Sequence, residues 1–154
     1  MIHERAMVEG TIGAGTSVWA NAHVMAGAVV GSNCNIGEGA FIEGGATLGD
    51  RVTVKNHVLI WDGVTIGDDV FLGPGVVFTN DMFPRSRRGA DRAPTNVVGT
   101  IVEAGASIGA NATIVCGVTI GAGAMVGAGA VVTKNVNAGA LVAGNPAEQI
   151  GDAP

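Results

Sequence analysis

An aliphatic side chain returns at every sixth position of this chain, from Ile12, Val18, Val24, Val30, Ile36 and Ile42 through Leu48, Val54, Ile60, Ile66 and Leu72, ending at Phe78. The beat restarts at Val102 and runs through Ile108, Ile114, Ile120, Val126 and Val132. Two residues before each beat stands a small or β-branched side chain, such as Thr16, Ala22, Ala28, Cys34, Ala40, Val52, Val58, Val64, Val70 and Val76. Side chains alternate along a strand, so these two positions face inward together and their neighbours face outward. Each hexad therefore predicts a strand of about four residues and a short turn supplied by Gly, Asn or Asp. A strand that short cannot bury itself. Successive hexads must stack as coils of a parallel β-solenoid, roughly 4.8 Å apart.

Composition agrees with thin layers. Hydrophobic residues make up 47% of the 154, yet aromatics only 4%, with no Tyr and 26 Gly, so the core is aliphatic and repeated rather than built around large rings. The formal charge of −5 gives no basic footprint for nucleic acid or an anionic membrane. No apolar run approaches membrane-spanning length, and the segment Met1-Ile2-His3-Glu4-Arg5 lacks the apolar region of a signal peptide. Cys34 and Cys116 show no metal-type spacing and lie inside the repeat. They are expected to be reduced structural thiols of a cytoplasmic protein. One domain over residues 1–154 is expected, with a short closing segment over 137–154.

Hexads such as Val64-Thr65-Ile66-Gly67-Asp68-Asp69 and Ile108-Gly109-Ala110-Asn111-Ala112-Thr113 resemble those of the left-handed β-helix acyltransferases. The resemblance implies an all-β, single-stranded left-handed parallel β-helix with three hexads per coil, active as a trimer. The left hand comes from the resemblance alone, since parallel crossovers are right-handed by default.

Three hexads per coil sort the chain into columns. The first face carries Ile12, Val30, Leu48 and Ile66 inward, the second Val18, Ile36, Val54 and Leu72, and the third Val24, Ile42, Ile60 and Phe78. Outward, the third face shows His23, Met25, Phe41, Glu43, Leu59, Trp61, Val77 and Thr79. So many apolar side chains in one column mark a subunit interface, unless a terminal helix or the loop covers them. Val118-Thr119-Ile120-Gly121 repeats Val64-Thr65-Ile66-Gly67, which puts Val102 where Pro84 would have stood. Residues 80–99 then form one protruding loop at a single corner. That corner stacks Asp62-Gly63, Asn80-Asp81, Cys116-Gly117 and Lys134-Asn135.

Of the eight basic residues, Arg85, Arg87, Arg88 and Arg92 fall in the loop. Guanidinium groups there suit bidentate binding of phosphate or carboxylate, or simply keep the loop solvated. Pro84 and Pro94 stiffen its ends.

A narrower resemblance covers about half the chain. Lys55-Asn56-His57-Val58, Trp61-Asp62-Gly63-Val64, Phe78-Thr79-Asn80-Asp81, Pro84-Arg85-Ser86 and the run from Gly105 to Gly117 are similar to N-acetyltransferases that acylate nucleotide-linked amino sugars, including 3-amino-3,6-dideoxyhexoses, from acetyl-CoA. This implies a site between subunits, with Asn80 beside the acceptor amine. It also implies substrate contacts from Asn56, Trp61, Asp62, Arg85, Ser86, Arg87 and Arg88, and acetyl-CoA contacts from Cys116, Gly117, Lys134, Asn145 and Pro146. Gly144-Asn145-Pro146-Ala147 matches the family's closing turn, but Glu148 and Gln149 follow where a Lys or Arg often stands. That leaves Lys134 as the nearest cation for a phosphate.

Acylation of an amine needs the amine and thioester in attack geometry, a donor for the oxyanion and a proton acceptor. Asn80 suits the orienting role. Asp81 reads either as a base or as a turn stabiliser. His57 is the better base at neutral pH but falls at a different corner from Asn80, so the two meet only across a subunit boundary. An O-acetyltransferase is the alternative enzyme, and would make His57 or Asp81 indispensable because a hydroxyl is a weak nucleophile. A non-catalytic trimeric assembly module is the alternative of another class. The γ-class carbonic anhydrases need three histidines on a metal, whereas His3, His23 and His57 occupy unlike positions; no metal is expected.

Overall fold

The computed structural model describes residues 1–86 and 96–154. Strands in register three hexads apart form three sheets, of six, eight and seven strands on the first, second and third faces. All pairings are parallel except in the closing hairpin. On the first face Ile12 pairs with Val30, Val30 with Leu48 and Leu48 with Ile66. Ile66 then pairs directly with Val102, and Val102 with Ile120, so the interruption of the beat leaves the ladder unbroken. This is the expected all-β solenoid, in keeping with a left-handed β-helix.

Most strands are two residues long, shorter than the four expected. The ladder nevertheless runs further than the strands: His23 N donates to Ala40 O at 2.9 Å and Met25 N donates to Ile42 O at 2.9 Å. About four residues per hexad thus take part in coil-to-coil bonding, and the remainder form the corner.

The beat residues fill the prism. Val18, Val24, Ile36, Ile42, Val54, Ile60, Leu72 and Phe78 are all fully buried, and the small residues two positions earlier lie beside them. Such close aliphatic packing leaves no space for larger side chains at the small positions.

The corners differ in what they demand of the backbone. Between the second and third faces, Asn21, Gly39, His57, Gly75 and Asn111 take φ values from 56° to 72°. Asn and His tolerate this left-handed conformation better than most residues. Between the third and first faces the same place is held by Gly27, Gly45, Gly63 and Gly117, with φ from 85° to 95°.

The outward column of the third face partly covers itself. His23 meets Phe41 edge-on with ring centroids 5.5 Å apart, Phe41 meets Trp61 at 5.4 Å, and His23 Nε2 lies 2.9 Å from Glu9 Oε2. Among the described residues, none of the chain is helical, so no helix covers this face. Among the described residues, no helix is long and apolar enough to cross a membrane. At the far end, strand Ala140–Gly144 continues the second face in parallel, and Ala147–Asp152 folds back antiparallel on its edge.

Candidate active site

A cleft of about 540 Å³ opens at the corner between the third and first faces, lined by Glu43, Trp61, Asp62, Asn80 and Val97. The third-face strands Phe41–Ile42, Leu59–Ile60 and Val77–Phe78 each deliver the chain into this corner, so successive coils present their turn residues one above another.

Hydrogen bonds link three coils through the cleft wall. Glu43 Oε2 accepts from Asp62 N at 2.9 Å, and Asp62 O accepts from Asn80 Nδ2 at 3.2 Å. The carboxylate of Asp62 rests over Gly45, whose missing side chain leaves the room it needs. With its NH₂ engaged by a carbonyl, the Asn80 amide keeps Oδ1 as its acceptor end. The cleft lining described here holds two carboxylates and no cation. It suits a group rich in N–H donors, such as an amine or ammonium.

The loop is anchored on both sides of this corner. Val98 N donates to Asn80 O at 2.9 Å, Gly117 N to Gly99 O at 2.9 Å, and Thr100 N to Gly63 O at 3.2 Å. Cys116 N donates to Thr79 Oγ1 at 2.9 Å. A Cβ on Gly117 would stand 3.3 Å from Val98, so glycine lets the returning chain close on the scaffold.

The residues singled out in the sequence fall in several places. Trp61, Asp62 and Asn80 line the cleft together. Asp81 adjoins it, with Oδ1 accepting from Phe83 N at 2.9 Å, the geometry of an Asx turn. Arg85 and Ser86 are exposed, and the Arg85 guanidinium donates to Pro84 O at 3.0 Å. Arg87, Arg88, Arg92 and Pro94 lie outside the described residues. Asn56 and His57 sit at the corner between the second and third faces, with the exposed His57 ring over Gly39. Cys116 is buried, so at its corner it presents backbone only. Lys134 Nζ lies 3.6 Å from Glu148 Oε1, both exposed, and Asn145 and Pro146 form the turn of the closing hairpin.

Glu43 and Val97 were not singled out from the sequence as site residues. Glu43 stood in the outward column one coil below Trp61, and that place, one residue out of line with Asp62, was a usable signal. Val97 enters from the returning loop, which no periodicity positions. Elsewhere, burial pushes the Cys34 thiol up from its usual range, and its Sγ donates to Gly49 O at 3.2 Å. Among the described residues, no three His, Cys, Asp or Glu side chains gather closely enough to hold a metal.

A family model for the bacterial transferase hexapeptide (six repeats) matches residues 9–44, 45–80 and 99–134. No curated protein matches the chain in sequence. Among solved structures, PerB from Caulobacter crescentus, in complex with CoA and GDP-perosamine, is 25% identical with a TM-score of 0.62; the match covers 97% of this chain and 56% of that one. The acetyltransferase domain of PglB from Neisseria gonorrhoeae is 25% identical with a TM-score of 0.65, over 97% of this chain and 57% of that one. A hexapeptide-repeat acetyltransferase from Vibrio cholerae, complexed with acetyl coenzyme A, is 28% identical with a TM-score of 0.52, over 92% and 72%. The chain thus spans a little over half the length of the PerB and PglB chains.

Proposed function

The chain belongs to the bacterial transferase hexapeptide family, and on that premise we propose that it transfers an acetyl group from acetyl-CoA to an amino group on a nucleotide-linked amino sugar. The observation that carries this reading is the Asn80 amide, whose Nδ2 is engaged by Asp62 O in the wall of a cleft lined by carboxylates, which leaves its Oδ1 as the acceptor for an incoming amine. An acceptor oxygen there holds an amine by an N–H and turns its lone pair toward the thioester carbonyl. Attack forms the C–N bond, collapse of the tetrahedral adduct breaks the C–S bond, and the proton lost by nitrogen ends on the departing thiol. The complexes of PerB with CoA and GDP-perosamine, and of the Vibrio enzyme with acetyl coenzyme A, support the choice of substrates.

Residues assigned from the sequence take proposed roles on this basis. Asn80 orients the amine, while Trp61 and Asp62 wall the sugar. Asp81, or His57 from a neighbouring subunit, takes up a proton where one must leave early. Arg85, Ser86, Arg87 and Arg88 receive the anionic part of the acceptor. Cys116 and Gly117 offer backbone groups to acetyl-CoA, with Lys134, Asn145 and Pro146 further along the same ligand. The active form is a cytoplasmic homotrimer with sites between subunits, joined through the aromatic column of the third face.

The test is thiol release from acetyl-CoA across a panel of nucleotide-linked amino sugars and their hydroxyl counterparts. Release with an amine and not with its hydroxyl counterpart is expected. Release only with hydroxyl acceptors, or none at all, refutes the proposal.

A further inference from the structure

A second cleft, of about 450 Å³, lies at the other corner, between the second and third faces near the first coils. Its lining includes Trp19, Gly37 and Lys55, which occupy one column in three consecutive coils, with Arg5 and His3 alongside. Trp19 is 43% exposed, unusual for so large an apolar ring, yet it is fixed: its indole N–H donates to Asn35 Oδ1 at 2.8 Å. Gly37 places no side chain in the column between the indole and Lys55, which stands two coil steps from Trp19, or roughly 9–10 Å.

The charges are unevenly placed for an acidic protein. Among the described residues, Arg51 lies within 4.0 Å of Asp50, Asp68 and Asp69, and Lys134 is paired with Glu148. Arg5 and Lys55 make no ion pair among the described residues, and both line this cleft. Glu38, the carboxylate of the lining, accepts from Asn21 Nδ2 at 3.2 Å, so it is engaged on its own side of the corner. A fixed, partly exposed indole beside two cations without an ion pair among the described residues matches a flat heterocycle carrying phosphate: the ring stacks and the cations neutralise the anion.

We propose that this cleft is a nucleotide subsite, in which the base stacks on Trp19 and its phosphate is held by Arg5 and Lys55. The inference deepens the reading above and rests on it for the class of ligand. A nucleoside phosphate is shared by the acceptor and by the adenosine end of acetyl-CoA, and the experiment separates the two.

Calorimetric titration of the full chain with uridine, guanosine and thymidine diphosphates, and with adenosine 3′,5′-bisphosphate, provides the test. Trp19→Ala is expected to weaken at least one of them by about tenfold or more, with Trp19→Phe close to the parent. Joint replacement of Arg5 and Lys55 by Ala should weaken the same ligand and flatten its dependence on salt. A loss confined to the diphosphates assigns the cleft to the acceptor, and one confined to the bisphosphate assigns it to the donor. The proposal fails if the parent binds none of them, or if folded Trp19→Ala binds all as tightly as the parent. It also fails if that variant changes only its oligomeric mass, which would make the cleft a contact between copies. Unchanged nucleotide affinity in Trp19→Ala beside normal thiol release sinks this subsite alone. Trp19-dependent binding with no thiol release on any amine sinks the transferase reading alone.

Discussion

The side-chain amide of Asn80 donates to the backbone oxygen of Asp62, one coil below, at 3.2 Å. A carbonyl oxygen only accepts, so this bond assigns the NH₂ end of the amide to Asp62 and leaves Oδ1 as the acceptor. Asn80→Asp would set a carboxylate oxygen against that carbonyl and beside Asp62 and Glu43. We predict that kcat falls about 100-fold through loss of attack geometry, while the melting temperature changes little. Measured turnover near the parent value would remove Asn80 from the orienting role.

Glu43 acts one step further away. Its Oε2 accepts the backbone N–H of Asp62 at 2.9 Å, and so sets the height of the corner on which Asn80 leans. Glu43→Ala leaves a half-buried N–H without this partner, at a cost of about 1 kcal/mol, and should lower kcat more than it raises KM for the acceptor. Glu43→Gln keeps an acceptor oxygen and is expected to restore both values. If Gln fails as badly as Ala, the negative charge matters and Glu43 contacts the substrate itself.

The hexad beat made the solenoid legible because one period governs every layer. The alignment of Val118 with Val64 was enough to place Val102 beside Ile66, and with it the corner that carries Asn80. What the period could not show are contacts that leave the column. Glu43 reaches up to Asp62, nineteen residues on, because a long side chain crosses from its own column to the next. His57 was readable as a base by its chemistry, but its φ of 59° shows that its position also answers a backbone demand met elsewhere by Asn21, Gly39 and Asn111. The arginines at 87, 88 and 92 belong to a segment without the repeat, where periodicity gives no coordinates.

Thr100 tests the core directly. Its position in the neighbouring coils belongs to Val64, with which it pairs, and to Val118, yet its own Oγ1 is buried with no hydrogen-bond partner among the described residues. Thr100→Val replaces an unsatisfied hydroxyl with a methyl of similar size. We expect a gain of about 1 kcal/mol, read as a rise in melting temperature of about 2–4 °C. A fall would mean that the hydroxyl has a partner, such as a bound water.

The acid side of stability should depend on Arg51. Its guanidinium donates to Asp69 through Nε at 2.7 Å and through a second nitrogen at 2.9 Å, and this hydrogen bonding holds the Asp69 carboxyl below its ordinary range. A carboxyl depressed in the folded state stabilises the fold above its unfolded pKa, and that contribution is lost as pH falls through the folded value. Arg51→Met should therefore melt below the parent at pH 7. The two curves should converge as the pH falls below the ordinary carboxylate range and Asp69 is protonated, and the gap at pH 7 should narrow with added salt. A gap that persists unchanged in acid would assign it to packing of the Arg51 stem.

The loop can be removed without breaking the scaffold, because the ladder closes beneath it. Asn80 O and Val98 N are bonded at 2.9 Å, so the chain leaves and returns at one point, and Ile66 pairs with Val102 without help from the residues between. Replacing residues 84–95 by a short glycine link adds little closure entropy, since the ends are already adjacent. We predict a variant that melts within a few degrees of the parent and keeps its oligomeric mass, but loses acceptor turnover along with Arg85 and the arginines at 87, 88 and 92. Loss of the oligomer instead would identify the segment as an assembly element. Full turnover would show that acceptor binding does not depend on this segment.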